Sequence, residues 1–439
     1  MTEISPSSST RLDNYVDRYA ARTKGMTASE IRALFAVASR PEVVSLAGGM
    51  PNISGLPLDV VSHAISELIT NDGPTAMQYG SGQGTPELRE QICDIMRLEG
   101  IEAHPDDVVV TVGSQQAVDL VTRIFIDPGD VVLCEAPSYV GALGVFRAYE
   151  ADVVHIEMDE HGLVPEALEQ AIVATQASGH TIKFLYTIPN FHNPAGVTLS
   201  PERRPEILRI CRAADILILE DNPYGLLGFD GAPHRALRAD EAEGVIYLGS
   251  FSKTFAPGFR VGWALAPHAV REKLVLAQES ATLCPPAFSQ MAISAYLKNH
   301  DWQGQIKQFR EMYRERRDAM VGALTDLMPP SCRWNVPDGG FYVWLTLPPG
   351  IDAKAMLPRA VTARVAYVPG TAFFADGFGS GSIRLSFCYP TPERIREGVR
   401  RLAGVLEQEL ELRETFGSLP QTHGLAERRG YDGPSTDMT

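Results

Sequence analysis

Through the middle of this 439-residue chain, short runs of apolar, mostly β-branched residues alternate with amphipathic stretches of helical period. The runs are Val108–Val112, Val131–Cys134, Val153–Ile156, Phe184–Ile188, Ile216–Leu219 and Val245–Leu248. The stretches between them are Gln115–Ile126, Tyr139–Tyr149, Pro165–Ala177 and Pro201–Ala213. A strand that is apolar along its whole length needs cover on both faces, and a helix in each connection supplies it. The expected architecture is therefore α/β, a mainly parallel mixed sheet flanked by helices. Ser200 reads as a helix N-cap with Pro201 at the first helical position. Asp127-Pro128-Gly129-Asp130 reads as the turn that separates one helix from the next strand.

The pattern changes after about residue 268. One long helical stretch is expected to run to Leu297 and another from Trp302 to Leu327. Strands of antiparallel character follow at Arg333–Val336, Phe341–Leu347, Val365–Val368 and Ser382–Phe387, then a helix over Pro392–Leu412. This divides the chain into an arm (1–55, with a helix at Ala28–Ser39) that joins the small domain, a large domain (56–298), a smaller α+β domain (299–412) and a mobile tail (413–439).

Charge narrows the function. Thirty-nine Lys and Arg against 54 Asp and Glu give a net charge of −15, whereas a nucleic-acid binder carries a basic surplus. No run reaches the ~18 apolar residues of a membrane span, and Met1–Thr10 has no signal-peptide character. The six cysteines, Cys93, Cys134, Cys211, Cys284, Cys332 and Cys388, are scattered without a Cys-x-x-Cys pair. They read as buried, reduced thiols of a cytoplasmic protein, and the ten histidines show no metal-binding spacing. The expected partners are small molecules.

Chemistry concentrates just beyond the strands, where an open α/β sheet places its ligands. Directly after Val245–Leu248 comes Ser250-Phe-Ser252-Lys253, followed by Gly258-Phe-Arg260-Val-Gly-Trp. An amine at Lys253 can form a Schiff base with an aldehyde cofactor whose phosphate Ser250, Ser252 and Arg260 hold. Ile216–Leu219 leads to Asp221, a carboxylate suited to keep a pyridine nitrogen protonated so that the ring accepts electrons. Phe184–Ile188 leads to Asn193-Pro194-Ala-Gly196, where the Asn193 amide can donate to a phenolic oxygen. Val108–Val112 leads to Gly113-Ser114-Gln115 at a helix N-terminus, an anion cradle. Val131–Cys134 leads to Tyr139, an aromatic that can stack on a planar ring.

Taken together, these motifs resemble the fold-type I, pyridoxal 5'-phosphate (PLP)-dependent aminotransferases of class I/II. Within them the likeness is to the 2-aminoadipate/kynurenine aminotransferase group. The resemblance spans about residues 25–410 and includes Ser-Leu-Ala-Gly48-Gly49-Met-Pro, Tyr79-Gly, Pro-Ser-Tyr139, Asp221-x-Pro-Tyr224, Gly339-Gly340-Phe and Arg384-Leu-Ser-Phe. It implies that Lys253 is the Schiff-base lysine and the base that moves the substrate Cα proton. It assigns Asp221 to the pyridine nitrogen, Tyr139 to the ring face, and Asn193 with Tyr224 to the phenolic oxygen. Ser114, Gln115, Ser250, Ser252 and Arg260 would hold the phosphate, with Tyr79 reaching the phosphate site of a neighbouring subunit. Arg384 would clamp the substrate α-carboxylate, and Gly49 would lie along the substrate pocket. The implied reaction moves an amino group from an α-amino acid to a 2-oxo acid, in a homodimer with shared active sites.

Some features depart from the group. Glu279–Phe288 carries two consecutive prolines, Met50–Gly55 is unusual, and His192 beside Asn193 is either a further acid–base group or a polar filler of its loop. An alternative is a PLP enzyme of specialised biosynthesis that eliminates, replaces, decarboxylates or cyclises. A regulator with an aminotransferase-like domain would need an N-terminal DNA-binding module, for which about 25 residues are too few. Gly80-Ser-Gly82-Gln-Gly84 lacks the preceding strand of a dinucleotide loop. The basic run Arg310–Arg317 reads as a solvated helix face with i,i+4 pairs.

Overall fold

The computed structural model describes residues 15–26 and 40–417, so the helix expected at Ala28–Ser39 and most of the expected tail lie outside the described residues. Its centre is an eight-stranded sheet. From edge to edge the strands are Val108–Thr111, Gly262–Leu265, Val245–Ser250, Leu217–Asp221, Ile182–Thr187, Val131–Ala136, Asp152–Asp159 and Gly162–Leu163. The five consecutive strands from Val245–Ser250 to Asp152–Asp159 are mutually parallel. Gly262–Leu265 runs antiparallel to both neighbours, so the sheet is mixed but mainly parallel.

Period-two alternation divides each central strand between two apolar layers. Val132, Cys134, Phe184 and Tyr186 pack under the helices Ser114–Phe125, Val140–Ala148 and His268–Thr282. Val131, Leu133 and Leu185 face the helices Pro165–Ala177 and Arg203–Ala213 on the other side. Phe146 meets Phe184 and Tyr186 edge-on at 5.7 and 5.5 Å, a geometry aromatic quadrupoles favour. Cover on both faces is why these strands tolerate no polar alternation.

The second structural layer is a four-stranded sheet, ordered Arg333–Trp334, Tyr342–Thr346, Ser382–Ser386, Val368–Pro369, all antiparallel. The helices Trp302–Leu327 and Pro392–Phe416 pack on it through a core that includes Tyr313, Val399 and Leu402. Several hydrogen bonds fasten this part to the large domain, two of them close to Phe373. Ser138 N–H donates to the Phe373 carbonyl at 2.8 Å, and Ala375 N–H donates to His155 Nε2 at 2.9 Å.

Several expectations need correction. The stretch expected as one helix to Leu297 is two, His268–Thr282 and Ala287–Asn299, broken where Leu283 takes φ +67° ahead of Pro285 and Pro286. The helix after Ser200 begins at Arg203, with no side-chain cap. The last helix continues to Phe416. The run Val365–Val368 splits: Val365–Ala366 pairs in parallel with Val44–Ser45, and Val368–Pro369 joins the antiparallel sheet. Nor is Arg310–Arg317 a solvated face. Arg310 donates to the Leu226 and Gly231 carbonyls at 2.7 and 2.9 Å, Arg316 reaches the Cys388 carbonyl, and Arg317 reaches the Pro337 carbonyl and lies 4.9 Å from the Phe229 ring. The described cysteines are unpaired, and all but Cys284 are buried. Among the described residues no helix is long and apolar enough to cross a membrane.

Candidate active site

The C-terminal connections of four of the parallel strands, with the segment after Val108–Thr111, residues 49 and 50 and the small sheet, line a cleft that is open to solvent. Gly49, Ser114, Gln115, Tyr139, Asn193, Asp221, Tyr224, Ser250, Ser252, Lys253, Arg260 and Arg384 all line it. Tyr79 does not. It is 77% exposed and lies outside this cleft.

At the cleft floor the pairing is electrostatic. Asp221 ends its strand fully buried, with Oδ2 accepting the Tyr186 hydroxyl at 2.8 Å and Oδ1 left without a partner. Burial pushes its carboxyl up to about 6, opposed by the Tyr186 hydrogen bond and the positive charge of Lys253. Lys253 beside it is partly buried. Burial pulls its amine down to about 8, and Nζ donates to the Gly49 carbonyl at 3.0 Å. A lysine so tuned is a nucleophile near neutral pH, when an exposed one is nearly all ammonium.

The anion cradle is assembled from three segments. The helix Ser114–Phe125 begins at Gly113, which takes φ +77° and offers no side-chain cap. Arg260, itself at φ +53°, lies against Gly113, where a Cβ would collide with its guanidinium. Arg260 Nη2 donates to the Val112 carbonyl at 3.2 Å. Ser250 Oγ donates to Ser252 Oγ at 2.9 Å and accepts the Ser252 N–H at 3.0 Å, so the two hydroxyls stand together. A helix N-terminus, paired hydroxyls and a guanidinium are the donor set that a phosphate dianion needs.

At the cleft's other end, Arg384 comes from the small sheet and is 2% exposed. Its guanidinium lies between two rings, 4.2 Å from the Tyr342 centroid and 4.9 Å from that of Phe373. Nη1 donates to Asn193 Oδ1 at 2.9 Å and Nη2 to the Ala47 carbonyl at 2.7 Å, while Nε has no partner. Of the five N–H groups, three therefore remain, including Nε–H, to meet a carboxylate. Gly49 is required by close approach, because a Cβ there would collide with the Tyr342 hydroxyl. The Tyr342 and Tyr224 hydroxyls stand 3.5 Å apart.

The site fits a pyridoxal-type phosphate on these observations. The orphaned Asp221 Oδ1 awaits a donor such as a pyridinium N–H. Asn193 has its oxygen engaged by Arg384, which leaves its amide nitrogen to donate. Tyr186, Tyr342 and Phe373 escape the sequence reading. Tyr186 lies inside a strand rather than beyond it. Tyr342 reaches Arg384 through strand pairing in the small sheet, where Trp344 sits opposite Arg384, and Phe373 reaches it from the short helix Gly370–Phe373 that follows the edge strand Val368–Pro369. Tyr342 follows Gly339-Gly340-Phe341 directly, which was the available signal.

Comparison with known proteins agrees with this geometry. The family model for aminotransferases of class I and II matches residues 41–402. An aromatic-amino-acid aminotransferase of Thermococcus litoralis is 42% identical over 400 residues, covering 90% of this chain and 96% of the relative. Among solved structures, the kynurenine aminotransferase of Pyrococcus horikoshii, in complex with PMP, superposes with TM-score 0.86 at 38% identity, covering 90% of this chain and 99% of that one. The α-aminoadipate aminotransferase of Thermus thermophilus, complexed with N-(5'-phosphopyridoxyl)-L-leucine, gives TM-score 0.84 at 35% identity, with 91% and 99% covered.

Proposed function

The chain belongs to the class I and II aminotransferases, enzymes that transfer amino groups between amino acids and 2-oxo acids, and on that premise we propose how its own residues carry the reaction. The cofactor is PLP, with Ser114, Gln115, Ser250, Ser252 and Arg260 holding its phosphate. Asp221 faces the pyridine nitrogen, Tyr139 the ring, and Asn193 with Tyr224 the phenolic oxygen. When bound, PLP supplies an aldehyde and an electron-accepting ring that weakens the bonds at the substrate Cα. The observation that carries the assignment is the pairing, in one cleft, of a partly buried Lys253 whose amine is lowered to about 8 with a buried Asp221 whose Oδ1 is unpartnered.

Each residue then acts in its ordinary capacity. Arg384 binds the donor α-carboxylate through its free N–H groups and fixes the orientation of Cα. Lys253 Nζ attaches the cofactor at rest. Once displaced, it takes the Cα proton and delivers it again, and its lowered pKa suits both directions. Asp221 stays ionised beside a positive ring nitrogen.

The donor we propose is an α-amino acid with a large, uncharged side chain. The support is the likeness to the aromatic-amino-acid aminotransferase, together with the cleft lining. Among its described lining residues the cations are Lys253, Arg260 and Arg384, all three assigned, while Met50, Ile188 and Tyr342 are apolar or aromatic. Residues 56–298 form the cofactor-holding domain, 299–412 the small domain that the arm (1–55) joins. We also read the protein as a cytoplasmic homodimer. Unpaired cysteines support the compartment, and the exposure of Ile69, Met77, Tyr79 and Leu283 supports a covering second copy.

The test is stoichiometric. PLP-loaded protein is mixed with a panel of amino acids without an acceptor. About one 2-oxo acid per subunit, with the cofactor ending as pyridoxamine phosphate, is the expected outcome. Product that accumulates over many turnovers with the cofactor unconverted would establish elimination, decarboxylation or cyclisation instead. Lys253→Ala should lose covalent attachment, seen by borohydride reduction and mass measurement.

A further inference from the structure

Beneath the loop that carries Asn193 lies a buried acid–imidazole pair that the mechanism does not use. Glu135 stands near the end of the strand Val131–Ala136, and His192 immediately precedes Asn193. Both side chains are 1% exposed. Glu135 Oε1 accepts the Thr187 hydroxyl at 2.7 Å, and Oε2 accepts the Ile188 N–H at 2.9 Å. The carboxylate thereby fastens the ends of two neighbouring parallel strands. His192 Nε2 stands 3.0 Å from Oε2, a close contact without hydrogen-bond alignment, and among the described residues that nitrogen has no hydrogen-bond partner.

The other ring nitrogen fixes the tautomer. Nδ1 accepts the Ala195 N–H at 3.2 Å, so it carries no proton. That tautomer leaves the proton on Nε2, beside the carboxylate though not aligned on it, an assignment made from the Ala195 contact. The His192 backbone continues the link: its N–H donates to the Val197 carbonyl at 2.8 Å, and its carbonyl accepts the Gly196 N–H at 2.6 Å. Strand end, carboxylate, imidazole and turn form one chain of contacts that ends at Asn193. His192 is absent from the cleft lining and fully buried, which leaves it no contact with a substrate proton. Of the two readings of this residue, the acid–base role is thus disfavoured.

The amide of Asn193 has to be held one way round. Its oxygen accepts Arg384 Nη1 and its nitrogen is left for the cleft. An amide is nearly symmetric in shape, so only its surroundings choose between the two orientations. We infer that Glu135 and His192 are a positioning pair that holds the Asn193 turn so that one amide serves Arg384 and the phenolic oxygen of the cofactor at once. This rests on the PLP reading above. It also predicts what should occupy position 192: a polar group that accepts the Ala195 N–H while lying against Glu135, which glutamine can do and leucine cannot.

The test compares His192→Leu with His192→Gln in the full chain. Three quantities are read: PLP affinity by fluorescence titration, kcat and KM for the amino donor, and amide hydrogen exchange of residues 193–197 with and without PLP. For His192→Leu the expected result is a PLP Kd and a donor KM each raised about tenfold, the scale of one lost oriented hydrogen bond. kcat should change less, and exchange at Ala195 and Gly196 should quicken even without cofactor. His192→Gln should stay within about twofold on all three. Wild-type values for His192→Leu, or a glutamine variant as defective as leucine, would overturn the inference. Should His192→Leu fail to fold, Glu135→Gln keeps the volume and weakens the acceptor. The same KM-weighted loss is expected of it, and unchanged kinetics and exchange would overturn the inference. A wild-type chain that bound no PLP would refute the functional reading instead, while the exchange arm would still judge the pair.

Discussion

Replacing Arg384 by lysine separates charge from geometry, because both side chains are cationic but only one is a planar fork. Arg384 gives one N–H to Asn193 and one to the Ala47 carbonyl, which leaves three for a substrate carboxylate. A lysine that kept those two contacts would have a single N–H left, so one charge-assisted hydrogen bond of about 1.5–3 kcal/mol is lost. It would also lose the stacking of a flat cation between Tyr342 and Phe373, about 0.5–1 kcal/mol. The sum is about 2–4 kcal/mol, which lowers kcat/KM for the donor by about 30- to 1000-fold at 1.36 kcal/mol per decade. Steady-state kinetics with the preferred donor measure it, and a parallel PLP titration should stay within about threefold. A loss in kcat/KM below threefold would refute the claim that the plane of the guanidinium matters. An equal loss of PLP affinity would mean that Arg384 supports the site rather than reading the carboxylate.

Three further outcomes follow from the same geometry. Because burial lowers the Lys253 amine to about 8, the rate at which cofactor-free protein captures PLP should rise with pH and level off just above 8; a rise continuing to the ordinary lysine range would show that the amine is solvated. Removing the Tyr186 hydroxyl with Tyr186→Phe deprives Asp221 of the hydrogen bond that restrains its pKa, so the Asp221 titration in the cofactor-free chain, followed by NMR, should move above about 6. Glu99 is buried with Tyr247 and Asn222 donating to it, and burial raises its carboxyl from 4.5 to about 8. The folded chain therefore binds an extra proton between those values. The stability this contributes is complete below about 4.5 and lost as pH rises through 8. Wild-type Tm should fall more steeply than that of Glu99→Gln between pH 6 and 9, and parallel slopes would contradict the assignment.

The cleft was legible where chemistry and position coincide. Lys253, Asp221, Asn193, Tyr139 and Ser114 each follow a strand directly, so the strand pattern locates them before any contact is known. Arg384, Tyr224 and Gly49 came from the resemblance alone. Tyr342 was not legible because its meeting with Arg384 depends on pairing register in the small sheet, and Phe373 because it comes from a short helix after the edge strand, neither of which local spacing encodes. The arginines of Arg310–Arg317 show the converse error: helical spacing predicted solvent, whereas loops distant in sequence fold over that face and offer carbonyl oxygens. The break at Leu283 was written in the sequence as Pro285-Pro286, and the helical period on both sides masked it.

The two hydrogen bonds from Ser138 and His155 to the segment around Phe373 tie the arginine's aromatic flank to the large sheet. Swinging the small sheet away as a rigid flap would break both, at about 1 kcal/mol each, along with the bond from Arg384 to Asn193. These ties hold Arg384 and its flanking rings in place around the carboxylate position, which lessens the ordering that binding an amino acid requires. A carboxylate receptor so held favours fast capture and tolerance of varied side chains, since it recognises the α-carboxylate that every donor shares.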